Sequence, residues 1–468
     1  MENEVEKPII GLIKVHKKIV IGIIISLFTL LVIYFGMAIY FNNHFYFGSA
    51  INCINVSGKN VEIVNKQMAS ELQNYVLNLK ERGGKNEQIR ADEVGLKYNS
   101  DGQFKELKDR QNPYKWISVF FNSDASKMIE GVKYDKQLLK ERLDTLSCFD
   151  SVNIIEPKNP SFKYIDDGYV IVDEVNGNKV NKEILYKHVS DAIINEETTI
   201  DMESINCYVK PQYTSTSQKI VDAKNTLNKY VFSKITYTFG TNKELLDGTT
   251  INKWLTVDEN FKVTFHESEV KNYIDVLSTN YNTIGKSRNF VSSSGKTINV
   301  VGGDYGWSIN RAKETKDLIS IIKEGQTIAK EPAYIQTALA HGNNDIGNTY
   351  VEIDLTKQYL WFYKNGSLIS KGDIVTGNVS SNHITPGGIY TLKYKQRDAV
   401  LRGSGYAAPV TFWMPFNGGI GIHDASWRSE FGGKIYKTDG SHGCINSPYY
   451  LAKAIFDNIE VGIPVVCY

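Results

Sequence analysis

From Ile19 to Phe41 the chain carries no charged residue, and that run decides where everything after it can fold. At 1.5 Å per residue it is long enough to cross a hydrocarbon core of roughly 30 Å. Lys7, Lys14, Lys17 and Lys18 crowd its N-terminal flank, with His16 among them, and the next lysine is Lys59. This asymmetry predicts residues 1–18 as a cytoplasmic tail, 19–41 as a single transmembrane anchor and the remainder as extracellular. The alternative is a cleaved signal peptide. Gly36-Met37-Ala38 is a poor small-x-small cleavage site for one, and the apolar run outlasts a usual signal core.

Five cysteines, Cys53, Cys148, Cys207, Cys444 and Cys467, form no CxxC pair and no zinc-finger spacing. For an exported chain so low and odd a count is not a disulfide framework, and it leaves at least one thiol free, expected to be Cys444. Lys+Arg 53 against Asp+Glu 52 leaves a net charge of +1. A nucleic-acid partner is not expected, because it would need a clustered basic face. At 468 residues the chain is too long for one core.

Residues 42–335 read as one unit written twice. Each copy opens on an amphipathic helical stretch, Val61–Leu79 and Ser217–Lys234. Each then carries a Lys-Trp pair, Lys115-Trp116 and Lys253-Trp254, followed by an apolar strand-like run. Helical segments Tyr134–Leu146 and His266–Leu277 come next, then the matching runs from Phe162 to Gly177 and from Phe290 to Gly306. Helices Lys182–Ile194 and Ala312–Ile322 follow, and each copy closes on Pro-x-Tyr, at Pro211/Tyr213 and Pro332/Tyr334. A repeat of this size implies duplicated α+β domains, expected at 42–215 and 216–340.

His341–Asn348 is a polar, glycine-bearing linker, and beyond it, over 349–468, the grammar becomes mostly β. Tyr350–Leu355 alternates apolar and polar residues, and Asn365-Gly366 between apolar runs predicts a hairpin with a type I′ turn. A helix is expected at Pro448–Asn458, capped by Asn446 or Ser447, before a last strand at Val465–Tyr468.

Chemistry gathers between Ile420 and Asn446. Ser441-His442-Gly443-Cys444-Ile445-Asn446 places a thiol two residues from one histidine, and His423-Asp424 ends an apolar run flanked by glycines. A thiol nucleophile needs a base, a backbone open to substrate and donors for an oxyanion. The helix expected after Cys444 would favour its thiolate, and the amides of His442, Gly443 and Cys444 are natural oxyanion donors. Adjacency alone leaves the base open between His442 and His423, with Asp424 placed to orient the latter by side chain or by carbonyl. A buried structural cysteine is one competing reading. A metal site of His423, His442 and Cys444 with Cys467 or Asp424 is another, weakened by the absence of CxxC or HExxH spacing; no metal and no cofactor is expected.

The six-residue motif, preceded by His423 across the spacer 424–440, resembles the signature of the YkuD-type L,D-transpeptidases. Tyr350-Val-Glu-Ile353, Gln358, Asn365-Gly366, Thr376-Gly377, Thr385-Pro-x-Gly388-x-Tyr390 and Trp413-Met-Pro-Phe416 extend the likeness across the domain. His423-Asp-Ala-x-Trp427-Arg428 departs from the commoner His-Gly form and suits a Gram-positive subgroup. The duplicated region resembles the peptidoglycan-binding domains that precede the catalytic domain there.

The expected chain thus has a single N-terminal transmembrane helix, two α+β repeat domains and, as the resemblance implies, a β-sandwich-like catalytic domain, which would face the cell wall. The resemblance also implies a cysteine acyl-enzyme. Cys444 attacks the carbonyl before D-Ala in a peptidoglycan tetrapeptide stem, and a side-chain amine of an acceptor stem then takes the acyl group in a 3→3 cross-link. It assigns His423 as base, Asp424 as its orienting neighbour, His442 and Gly443 to the oxyanion hole and Ser441 to support. Carbapenem-type β-lactams are the expected inhibitors. Arg428, Trp427, Asn446 and Tyr406 are the candidate substrate contacts, while Trp413 is assigned to the core. Water as acceptor would make the chain an L,D-carboxypeptidase, and a decayed site would make it a wall-binding protein. A sortase reading fails, since no arginine follows Cys444.

Overall fold

The structure is a computed structural model. It describes residues 7–98, 102–121, 125–126, 131–166, 168–342, 344–403 and 405–468, without the side chains of 7–16, 125–126 and 406. The chain divides into two compact units, Met1–Pro160 with Asp173–Thr214, and Ser161–Val172 with Ser215–Tyr468.

The first unit begins with α1 (Lys7–Asn43), whose stretch Lys17–Asn43 is long and apolar enough to cross a membrane. Helix α2 (Val61–Gln73) starts where the Asn60 side chain accepts from the Ile63 amide, and ends at Asn74. The amphipathic pattern predicts this helix as far as Leu79. Instead, Val76–Lys80 forms strand β1, because its alternating pattern drives Leu77 and Leu79 into the core. Strand β2 (Asn86–Arg90) pairs with it antiparallel.

The run after Lys115-Trp116, expected as a strand, lies in a 3-10 helix, Pro113–Phe120. Pro113 sits at its start and Asn112 caps it, a combination that favours helical over extended backbone. After α3 (Lys136–Asp144) comes a hairpin of β3 (Ser161–Ile165) and β4 (Gly168–Val172), then α4 (Lys182–Ile194) and β5 (Thr199–Asp201). Strand β5 returns parallel to β1, giving the sheet order β5-β1-β2. Leu77, Leu79, Ile89, Leu139, Leu185 and Ile193 share its core.

The second unit repeats the plan. Helix α5 (Gln218–Val231) leads to β6 (Lys234–Phe239) and β7 (Asn242–Leu246). Helix α6 (Glu267–Tyr281), a hairpin of β8 (Arg288–Val291) and β9 (Thr297–Val300), α7 (Arg311–Glu324) and β10 (Thr327–Lys330) follow. The sheet order β7-β6-β10, with β10 parallel to β6, matches that of the first copy. The hairpin β3–β4, which the sequence reading counts in the first copy, packs in this unit. Phe162, Tyr164 and Tyr169 join its core, and the Asn228 side chain of α5 bonds both the amide and the carbonyl of Tyr169.

The C-terminal region comprises β11 (Tyr350–Asp354), β12 (Tyr359–Lys364), β13 (Ser367–Asp373), β14 (Gly388–Thr391), β15 (Gln396–Gly403), β16 (Tyr406–Asn417), β17 (Ile420–Asp424), β18 (Ile445–Ser447), α8 (Tyr449–Asn458) and β19 (Pro464–Cys467). They build a five-stranded sheet, β13-β12-β11-β19-β14, and a four-stranded sheet, β15-β16-β17-β18. Side chains of both sheets and of α8, among them Val351, Phe362, Phe412, Ile422, Leu451 and Ile455, form one core. Asn365 (φ 51) and Gly366 (φ 80) make the β12–β13 turn with the positive φ values expected of it.

The hairpin β8–β9 also packs onto this C-terminal region, with Phe290 and Val300 in one cluster with Ile389 of β14 and Val466 of β19. Strand β14 is the sheet's edge, and Gly302–Tyr305 closes it: the Ile389 amide donates to Gly302, and the Tyr305 amide to Ile389. Gly303 (φ +85) permits this approach, since a Cβ there would lie 2.0 Å from the Ile389 carbonyl oxygen. The segment read as a linker is itself packed, with Asp345 buried against Arg288 at 2.8 Å and Ile346 in the same cluster as Phe290.

Candidate active site

Strand β17 delivers His423. It runs antiparallel to β16 and parallel to β18, which sets His423 opposite Asn446 and Ile422 opposite Ile445. Cys444 immediately precedes β18, so the thiol stands at the start of the strand that pairs with the one carrying the imidazole. Both border a cavity of about 400 Å³, along with Pro409, Trp427, Arg428 and His442.

The His423 ring is buried, and its Nδ1 lies 2.9 Å from the carbonyl oxygen of Asp424. That contact favours the tautomer with the proton on Nδ1, which leaves Nε2 as acceptor. Burial is the main cause holding the imidazole below its ordinary value of 6.5, so it rests neutral. Asp424 orients the ring through its main chain. Its carboxylate instead accepts from the Phe412 amide at 2.8 Å.

The Cys444 thiol lies 3.5 Å from the Gly419 carbonyl oxygen. Burial pushes it above its ordinary value, against a smaller lowering by a backbone hydrogen bond from Gly421. The lowered thiol expected from a helix start is therefore not what the structure supplies. Helix α8 begins at Tyr449 with Pro448 at its N-cap, and β18 stands between it and Cys444. The dipole effect is confined to about the first turn. Asn446 and Ser447, expected as caps, belong to that strand; the Ser447 hydroxyl donates to the His423 carbonyl oxygen instead.

Ser441 braces the loop that carries Cys444. Its hydroxyl donates to the Cys444 carbonyl and accepts from the Gly443 amide at 3.0 Å. Gly443 (φ +112) thus has its amide engaged beside the thiol, in a backbone region that favours glycine. Thr385, given no role by the sequence beyond its place in the Thr385-Pro-x-Gly388-x-Tyr390 run, is buried and donates to the Gly443 carbonyl at 2.7 Å while accepting from the Gly377 amide. His442 is exposed and its ring packs 4.4 Å from that of His383.

Arg428 borders the cavity with its guanidinium committed, Nη1 to the Asp439 carboxylate at 3.1 Å and Nη2 to the Asp439 carbonyl at 2.8 Å. Trp427 is exposed, its ring 5.9 Å from His423, while Trp413 is buried at the same 5.9 Å from the imidazole. Asn446 is buried at the cavity wall and exchanges backbone hydrogen bonds with Val375. The Tyr406 side chain lies outside the described residues. All five cysteines are free thiols. Among the described residues, the ligating atoms that converge within 4.8 Å are those of Glu81, Glu87 and Cys148.

Residues 348–467 match the L,D-transpeptidase catalytic domain family (YkuD), and residues 87–201 and 213–329 each match the family described as "Putative peptidoglycan binding domain". An Enterococcus faecium L,D-transpeptidase, seen in the crystal structure of a cysteine-to-serine mutant, is 34% identical over 52% of this chain and 98% of its own, with TM-score 0.45. The chain belongs to the L,D-transpeptidase family. The Ldtfm–avibactam carbamoyl enzyme is likewise 34% identical, over 53% of this chain and 98% of its own, with TM-score 0.46. The E. faecium L,D-transpeptidase catalytic domain acylated by ertapenem, an NMR structure, is 42% identical over 26% of this chain and 98% of its own, with TM-score 0.25. A search of curated proteins finds no match. This L,D-transpeptidase therefore carries a β-rich catalytic domain behind two peptidoglycan-binding domains and an N-terminal apolar helix.

Proposed function

We propose that this L,D-transpeptidase is held in the cell membrane by α1, with its N-terminus cytoplasmic, and forms 3→3 cross-links between peptidoglycan stems. The observation that carries the reading is the pairing of Cys444 with His423 on one cleft, the imidazole turned by the Asp424 carbonyl so that Nε2 is its free acceptor. Both groups rest neutral, so the thiol proton passes to Nε2 as sulfur attacks the carbonyl before D-Ala in a donor tetrapeptide. The resulting oxyanion is held by the amides of Cys444 and His442. The C–N bond then breaks, D-Ala leaves with the proton from His423, and a thioester remains on Cys444. The side-chain amine of an acceptor stem gives a proton to His423, attacks the thioester and expels the thiol, forming the cross-link. Trp427 and Asn446 wall the donor cleft, and Arg428 shapes it from its fixed place against Asp439. Ser441 and Thr385 hold the loop that presents the thiol.

Relatives seen as an avibactam carbamoyl enzyme and as an ertapenem-acylated domain support the further reading that carbapenems acylate Cys444. The test is mass spectrometry of the full chain with a disaccharide-tetrapeptide. A cross-linked dimer lighter than two substrates by one D-Ala is expected, and Cys444→Ala should abolish it. Tripeptide without dimer, even with amine acceptor in excess, would replace cross-linking by hydrolysis.

A further inference from the structure

The last turns of α1 do not stand alone. Tyr34, Ala38 and Phe41 recur at helical spacing on one face, and there the 3-10 helix Pro113–Phe120 lies against them. The Tyr34 hydroxyl donates to the Tyr114 carbonyl at 2.6 Å, and the Trp116 indole N–H donates to the Tyr34 carbonyl at 3.1 Å. The Trp116 ring sits 6.2 Å from Tyr34 and 6.1 Å from Phe41. On its other side the short helix offers Tyr114, Ile117, Phe120 and Phe121 outward, with Phe120 69% and Phe121 81% exposed. In water, leaving two phenylalanines so bare forgoes about 1.5–3 kcal/mol of burial each.

Register along α1 says what covers them. Tyr34 lies seven residues before Phe41, the end of the uncharged run, which is about 10 Å along the axis. If α1 spans the bilayer, a segment bonded to Tyr34 lies about that far inside the apolar layer. Backbone may enter lipid only when its polar groups are satisfied. Here the Asn112 side chain accepts from the Tyr114 amide, the Lys115 amide bonds the Asn112 carbonyl, and the Phe121 amide bonds the Ser118 carbonyl. Tyr34 itself satisfies the Tyr114 carbonyl. Lys115 is exposed on the same helix, with a stem long enough to return its amine to the headgroups.

We propose that Pro113–Phe121 is a membrane wedge, immersed beside α1 in the outer acyl-chain layer of the bilayer and seating the first domain on the membrane. The proposal rests on the reading of α1 as a membrane span, and the test separates the two. In a Cys53→Ser, Cys444→Ala background, the full chain is reconstituted in vesicles of phosphatidylcholine and phosphatidylglycerol. Nitroxide labels are placed singly at Ile25→Cys, Phe121→Cys and the exposed Glu141→Cys. Power-saturation EPR then reads collisions with oxygen, which concentrates in lipid, and with a water-soluble nickel chelate. Oxygen-dominated collisions at 25 and 121, with nickel-dominated collisions at 141, are the expected result. Oxygen at 25 with nickel at 121 would overturn the wedge and leave the anchor standing. Shielding of 121 from both reagents would mean a protein partner covers it and would also overturn the wedge. Nickel at 25 would overturn the anchor and the wedge with it.

A second measurement leaves Phe120 and Phe121 in place. Brominated lipids should quench part of the tryptophan emission of the otherwise native chain, and Trp116→Phe should remove that quenchable part, since the Trp116 indole is bonded to the Tyr34 carbonyl of α1. Quenching unchanged by Trp116→Phe, or no quenching in the native chain, would overturn the wedge.

Discussion

The same burial moves the proposed nucleophile and its proposed base in opposite directions. It raises the Cys444 thiol and lowers the His423 imidazole, so an ion pair is disfavoured and the neutral pair is the resting state. The sign of the pH dependence follows. An imidazole serves as a base only when neutral, and that of His423 is held below 6.5, so with His423 as the proposed base the midpoint of the acid-side decline in carbapenem acylation should lie below pH 6.5. A stopped-flow profile with its midpoint above pH 6.5 would contradict this. His423→Ala should slow acylation by about 10²- to 10⁴-fold. Asp424→Asn should cost less than about tenfold, because the ring is held by a main-chain carbonyl and an amide oxygen can still accept from Phe412. Equal losses in the two variants would show the carboxylate, not the carbonyl, acting on the ring. The motif 441–446 and His423 were legible because the chemistry is written in residue types at short spacing. The support Thr385 gives the site was not, since its bond to Gly443 spans 58 residues and exists only once the fold has brought them together.

At the scale of elements, local signals held where local physics decides. The Asn365-Gly366 turn is one such place, because positive φ is a property of the residues themselves. They yielded where tertiary burial decides, as when Val76–Lys80 left a helical pattern to place Leu77 and Leu79 in the core. The run after Trp116 yielded too, following its Asn112 cap, its proline and its contact with α1. Gly303 marks where an element of the second repeat meets the edge of the catalytic sheet. Gly303→Ala would carry a positive-φ strain of roughly 1–3 kcal/mol and, in addition, a Cβ set 2.0 Å from the Ile389 carbonyl oxygen. Gly302→Ala, at φ +88 with nothing within 4 Å of its Cβ, would carry the strain alone. Gly303→Ala should therefore lower stability to urea by clearly more than Gly302→Ala. Equal midpoints for the two would mean that the edge contact is not closed in solution.

At the scale of the whole molecule, each repeat lends its hairpin to the next domain along the chain. Residues 161–172 join the core of the second repeat, and residues 288–300 join the catalytic domain. This handing-on was invisible in the sequence, where each hairpin sits in its proper place within its own copy and nothing local says which core it enters. Its consequence is that the second peptidoglycan-binding domain is fixed to the sheet behind the site. Glu352 of β11, fully buried, accepts from the Ser293 amide at 2.8 Å at the hairpin's tip, as well as from the Ser293 and Tyr468 hydroxyls. Phe290→Ala would empty part of the shared cluster at a cost of about 3–5 kcal/mol, falling on the docking between the domains rather than on the core that holds Cys444 and His423. If the second repeat guides polymeric substrate toward Cys444, loosening it should leave acylation by a small carbapenem nearly unchanged. Turnover on isolated cell-wall sacculi should fall severalfold. Parallel loss on both substrates would mean that the substitution damages the catalytic core itself, and loss on neither would mean that the docking has no part in presenting the wall to the thiol.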